Sequence, residues 1–64
     1  MIKVNGQNTP FSDISLKQLL ENCNFDSEKV AVELNGEIVS KKDFDTTKIK
    51  DNDTIEVVSF VGGG

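Results

Sequence analysis

Two Asn-Gly dipeptides, Asn5-Gly6 and Asn35-Gly36, punctuate a chain of only 64 residues. Between alternating apolar and polar residues, Asn-Gly is the strongest local signal for a two-residue hairpin. A type I′ turn needs positive φ at both central positions, and these two residue types supply it at least cost. Ile2-Lys3-Val4 leads into the first turn. Val30-Ala31-Val32-Glu33-Leu34 leads into the second and Glu37-Ile38-Val39 returns from it, with Val30, Val32 and Leu34 on one face. The strand returning from the first turn, about Asn8 to Phe11, contains Pro10. Proline has no N–H for a ladder, so this strand belongs at a sheet edge or ends early.

Between the hairpins the period changes from two to that of a helix. Leu16, Leu19, Leu20 and Cys23 fall at i, i+3, i+4 and i+7, which is one apolar face. Ser15 is a good N-cap, Gln18 three residues on completes a capping box, and Ile14 with Leu19 forms a hydrophobic staple. Asn22 and Asn24 mark the end, where a left-handed residue stops the helix. A helix of two to three turns is not stable alone and needs a sheet to lie on. Ser40 to Phe44 is too polar for strand and reads as a turn, or a single helical turn, that delivers Phe44 to the core. Asp51-Asn52-Asp53 is a turn cluster. It opens the longest β-rich run, Thr54 to Val61, after which come Gly62, Gly63 and Gly64.

The order is therefore hairpin, helix, hairpin, irregular turn, strand. One helix against one sheet is the economical two-layer solution at this length. The first and last strands are the most apolar, so they are expected to pair centrally and in parallel. The expected fold is α+β, a β-grasp: a mixed sheet of four to five strands packed on one short helix. Residues 1–61 form the domain and residues 62–64 a flexible glycine tail.

Composition removes many functions. Seven Lys against 11 Asp and Glu, with no Arg, give a net charge of −4, a poor match for phosphate backbones. No nucleic-acid partner is expected. There is no His and one Cys, Cys23, which excludes a zinc site built on those ligands, a Cys/His or Ser/His pair, and an intramolecular disulfide. Asp43, Asp45, Asp51 and Asp53 lack the spacing of a calcium loop, so no metal site is expected. No apolar run approaches the roughly 20 residues of a membrane-spanning helix, so no membrane association is expected. Met1-Ile2-Lys3-Val4 does not resemble a signal peptide. Cytoplasmic residence is the expectation, and a single thiol suits a reducing compartment. A domain this small has little interior for a pocket with oriented titratable groups, which argues against an enzyme and for a module that works through partners.

Three features bear on what such a module does. The first is the triple glycine. Glycine loses the most backbone entropy on ordering, so it is a poor choice for stability. Three extended residues reach roughly 10 Å, and without Cβ atoms they fit a narrow channel. The carboxylate of Gly64 is then the most accessible reactive group, although a frayed and inert terminus has the same sequence. The second feature is Cys23. On an apolar helix face, with no Arg or His to lower its pKa, it reads as a small buried hydrophobe rather than a nucleophile. The third is the outer face of the last strand. If Ile55 and Val57 face the helix, Val58 and Phe60 point outward beside Ala31 and Glu33. That is an interaction surface, unless Phe60 folds back onto its own domain.

The segments Val30 to Val39 and Asp51 to Gly64 resemble the ThiS family, the sulfur carriers of thiamine biosynthesis. The opening Val4-Asn5-Gly6 and the helix start Ser15 to Leu20 fit the same layout. The most specific parts are Val-Ala-Val-Glu-Leu-Asn-Gly and the Phe-Val-Gly-Gly-Gly ending. The resemblance implies a ubiquitin-like β-grasp with no catalysis of its own and no cofactor bound by itself. It implies that an E1-like adenylating enzyme (ThiF), using ATP and magnesium, activates Gly64. A persulfide sulfur donor fed by a cysteine desulfurase then converts the carboxylate to a thiocarboxylate, and thiazole synthase (ThiG) takes the sulfur. Gly62 and Gly63 correspond to the slender tail that threads into the partner. Phe60 and Val61 are its hydrophobic root and, with Val58, the partner-binding surface. The free carrier is expected to be a monomer. Asn52 stands where the family often has Gly, and Asn tolerates the left-handed conformation such a turn needs. Three other readings stay open at this level: a carrier for molybdopterin synthesis, a ubiquitin-like protein modifier, and an interaction domain with an inert tail.

Overall fold

The computed structural model describes residues 1–59, and Phe60 to Gly64 fall outside the described residues. Five strands form one mixed sheet: β1 (Lys3–Val4), β2 (Gln7–Asn8), β4 (Val30–Leu34), β5 (Glu37–Val39) and β7 (Thr54–Ser59), in the order β2-β1-β7-β4-β5. Strand β7 is central, parallel to β1 and antiparallel to β4. The expected parallel pairing of the first and last strands is present, as is the mixed sheet on a single α-helix. Both Asn-Gly turns have positive φ at both positions, 50° and 84° at Asn5-Gly6 and 51° and 88° at Asn35-Gly36. Asn52, at φ 72°, adopts the left-handed conformation anticipated for it.

The helix α1 (Leu16–Asn22) buries Leu16, Leu19 and Leu20 in one core with Ile2, just before β1, and with Val4, Val30, Val32, Ile55 and Val57 of the sheet. Each such side chain contributes about 1.5–3 kcal/mol when fully removed from water. The first-turn N–H groups, which have no partner within a helix, are all satisfied. Leu16 N–H donates to the Thr47 carbonyl (2.8 Å), Lys17 N–H to the Phe44 carbonyl (3.0 Å), and Gln18 N–H to Ser15 Oγ (3.1 Å). Ser15 is thus the N-cap, making the forward half of the capping box. At the other end Asn24 has φ 67°, its N–H donates to the Glu21 carbonyl (3.0 Å), and Phe25 N–H reaches back to the Leu20 carbonyl (2.9 Å). This is a Schellman motif with asparagine in the left-handed position, and Phe25 packs on the core as its hydrophobic contact.

The structure corrects the sequence reading in three places. The return strand β2 is shorter and earlier than residues 8–11. Thr9 donates through both N–H and Oγ1 to the Ile2 carbonyl (2.9 Å each), Ile2 N–H donates to the Phe11 carbonyl (3.4 Å), and Pro10, with no N–H, is stepped over. A second, two-stranded sheet joins β3 (Ile14–Ser15) to β6 (Lys48–Ile49), pinning the helix start to the segment before β7. A 3-10 turn at Ser27–Lys29, capped by the Asp26 carboxylate on Glu28 N–H (2.9 Å), leads into β4. The segment after β5 behaves as expected. A single 3-10 turn at Lys41–Asp43 delivers Phe44, 3% exposed, to the core.

Candidate functional site

Strand β7 carries the chain toward Gly64, and it is held on both flanks. On one side Ile55 to Ser59 pair with Leu34 to Val30 of β4. On the other, β1 pairs only at Thr54 and Ile55 before it turns away at Asn5. The turn asparagines then act a second time, through their side chains. Asn35 Oδ1 accepts from Thr54 N–H (2.9 Å) and its Nδ2 donates to Asp53 Oδ1 (3.0 Å), at the start of β7. Asn5 Oδ1 accepts from Val57 N–H (2.8 Å) and its Nδ2 donates to the Val57 carbonyl (3.3 Å), near the end of β7. The backbone N–H of Asn5 donates to the Ile55 carbonyl (2.9 Å), so its carboxamide occupies the place of the next β1 residue. Neither staple was legible as such, because an Asn-Gly pair signals the turn and says nothing of where its amide points.

Successive side chains of β7 point to opposite faces. Ile55 and Val57 are in the core, while Val58 is 64% exposed. The register sets Val58 opposite Ala31, Glu56 opposite Glu33, and Glu33 opposite Ile38 of β5. The outer face of the sheet therefore presents Ala31, Ile38 and Val58 around a directly opposed pair of carboxylates. Ile38 is 78% exposed, more than Val58, and the sequence reading missed it. The two-residue turn at Asn35-Gly36 fixes Ile38 opposite Glu33, so that turn alone held the signal. Phe60, Val61, Gly62, Gly63 and Gly64, assigned as root, tail and reactive terminus, lie outside the described residues.

The other sequence candidates take structural places. Cys23 caps α1 at its C-terminus, is half-buried beside the core, and burial raises its pKa, consistent with a packing role. Asp53 binds within its own turn. The Lys50 N–H (2.8 Å) and the Asn35 amide hold its carboxyl below the usual carboxylate range, in that order of effect. Among the described residues no three His, Cys, Asp or Glu side chains gather as a metal site. No helix among them is long and apolar enough to cross a membrane. The depression lined by Met1, Lys3, Asn8, Asn52, Asp53 and Thr54 is open and polar. What the described residues supply is a central strand paired on both flanks and a solvent-facing sheet surface.

Comparison with known proteins points the same way. The family model described as the ThiS family matches residues 2–64. The sulfur carrier protein ThiS of Bacillus subtilis is 33% identical over the whole of both chains. A thiazole synthase of Paramagnetospirillum magneticum is 42% identical across 95% of this chain, in a stretch amounting to 19% of that larger protein. The crystal structure of a thiamine biosynthesis protein (ThiS) from Geobacter metallireducens superposes with a TM-score of 0.82. It is 37% identical, with 98% of this chain and 97% of that one covered. The chain belongs to the ThiS family, the sulfur carriers of thiamine biosynthesis, and has that family's β-grasp fold.

Proposed function

We propose that this protein is a co-substrate rather than an enzyme, and that it carries sulfur as a thiocarboxylate on Gly64. The observation that carries this reading is the match to the sulfur-carrier family through the final glycine. The Gly64 carboxylate attacks the α-phosphorus of ATP, held with magnesium in an E1-like adenylating partner, and displaces pyrophosphate. The terminal sulfur of a persulfide donor then attacks the acyl carbon and displaces AMP. Reduction of the resulting acyl disulfide by a thiol frees the thiocarboxylate, whose sulfur passes to thiazole synthase. Gly62 and Gly63 present the carboxylate without side chains that obstruct a narrow channel.

The outer face of the sheet supports the docking half of this proposal. Ala31, Ile38 and Val58 give an exposed apolar cluster on a rigid surface next to the strand that leads to the tail. Phe60 and Val61, read from the sequence alone, are the further partner contacts of this reading. The thiazole synthase with a stretch similar to this chain supports a thiazole synthase, rather than a molybdopterin synthase subunit, as the acceptor.

The test is an intact mass after incubation with ATP, magnesium, the adenylating enzyme and a persulfide source. The expected product is heavier by the difference between sulfur and oxygen, with the change on the peptide ending in Gly64. An unchanged mass, with an enzyme shown to be active on another carrier, overturns the reading.

A further inference from the structure

We propose that Asn5, a turn residue on the first hairpin, is a positioning residue for the reaction at Gly64. This inference rests on the sulfur-carrier reading. Strand β1 is two residues long and β7 is six, so β7 outruns its parallel neighbour. Among the described residues the β1 flank of β7 has no strand pairing beyond Ile55, and the Asn5 carboxamide takes its place by engaging both the N–H and the carbonyl of Val57. A primary amide has the donor and acceptor of one peptide unit, so one side chain completes one more step of ladder. Gly64 lies seven residues beyond Val57 in sequence. Each backbone residue freed on the near side of the tail adds conformational freedom that must be lost again when the carboxylate is presented to a reacting phosphorus. Asn5 therefore carries the β1-side hold on β7 from Ile55 to Val57, while β4 holds the other flank as far as Ser59.

The chain contains its own control. Asn35 occupies the same position of the same turn type and likewise accepts a β7 N–H through its side chain, but at Thr54, the end remote from Gly64, with its Nδ2 on the Asp53 carboxylate. Glycine accepts the positive φ of both sites, so Asn5→Gly and Asn35→Gly keep their turns and each lose only the amide. The two variants should cost similar stability and differ in function.

The experiment compares both variants with wild type as substrates of the adenylating enzyme, at a temperature where melts show all three folded, with amide exchange read in parallel. For N5G we expect lost protection at Val57 and a fall in kcat of about five- to tenfold, with KM for the carrier within about twofold because the outer face is untouched. N35G should keep its kcat. A purely structural loss would instead shrink the folded fraction, raising the apparent KM equally in both. If N5G unfolds, Asn5→Asp replaces it in the pair with N35G, since Asp keeps the oxygen that accepts from Val57; a partial loss of kcat confined to N5D is expected. Equal kcat values within either pair overturn the inference and leave the carrier reading intact. Failure of wild type to be converted overturns both.

Discussion

The opposed Glu33 and Glu56 carboxylates on the outer face make a prediction whose sign is unusual for a surface substitution. They face each other across β4 and β7, and neither joins the two ion pairs among the described residues, Met1 with Asp51 and Lys41 with Glu28. Like charges directly opposite on one sheet face destabilise it. Two carboxylates about 6–8 Å apart in water repel by roughly 0.5–0.7 kcal/mol. Glu56→Gln removes that repulsion while keeping shape and polarity, so it should stabilise the fold by that amount. For a domain this size the melting temperature rises about 2–5 °C at low ionic strength. Glu56→Lys should roughly double the gain by turning repulsion into attraction. In about 1 M salt, where the screening length falls to about 3 Å, most of the gain should vanish. Thermal denaturation at low and high salt measures all of this. A fall in melting temperature for Glu56→Gln, or a gain that survives high salt, refutes the electrostatic argument. Conversion of the same variants by the adenylating enzyme tests whether the face is kept for docking: more stable and more slowly converted is expected, and an unchanged rate counts against that use of the surface.

Three further outcomes follow from the geometry. Deleting Gly64 should abolish thiocarboxylate formation by mass spectrometry while leaving the thermal melt unchanged, because the buried core described here lies between Ile2 and Val57; a lower melting temperature would assign the terminus a structural role. Phe44→Ala empties a site only 3% exposed and should cost about 3–5 kcal/mol. A 64-residue domain has roughly 3–10 kcal/mol in all at about 0.05–0.15 kcal/mol per residue, so circular dichroism should show a melting temperature lowered by about 12–40 °C, and a melt unchanged from wild type would refute the assignment. Asp53 has its pKa lowered on folding by the Lys50 N–H and the Asn35 amide, so its contribution is present above the ordinary carboxylate pKa and is lost as pH falls through the lower folded value. Asp53→Asn should therefore flatten the loss of stability below about pH 4, and an unaltered acid limb in denaturation curves would contradict this.

The elements that the sequence announced are those whose signal is local and repeated. Asn5-Gly6 and Asn35-Gly36 each specify a turn by backbone conformation alone, and Ser15 with Leu16, Leu19 and Leu20 specifies a capped, one-faced helix. Phe44 was legible because a lone aromatic in a polar segment of a thin-cored domain has one sensible destination. The β3–β6 ribbon was not legible, since two residues per strand carry no period and the pairing of Ile14 with Ile49 spans most of the chain. Asp13, at φ 57° just before β3, falls in the same blind region. The same limit applies to the site. Val58 could be placed on the outer face by alternation within its own strand. Joining it to Ile38 needed two registers, and the staple from Asn5 to Val57 joins residues 52 apart in sequence.

Strand β7 shows how a domain this small keeps its core and its proposed docking surface apart. A larger protein can give each its own segment, but here both must share six residues, Thr54 to Ser59. The alternation of side chains divides them. Ile55 and Val57 close the core under the helix, whereas Glu56 and Val58 face solvent and contribute little to it. A one-residue slip of register would exchange the two sets and lose both functions at once, so the register must be held from both flanks. On the β4 flank five residue pairs do this. On the β1 flank only two pairs are available, and Asn5 adds a further hold at Val57, while Asn35 extends the β4 flank at Thr54. Asparagine in place of glycine at the first turn position is therefore more than a conformational preference. The same residue that permits each hairpin to turn also opposes sliding of the strand between them, and so holds Ile55 and Val57 on the core face and Glu56 and Val58 on the outer one.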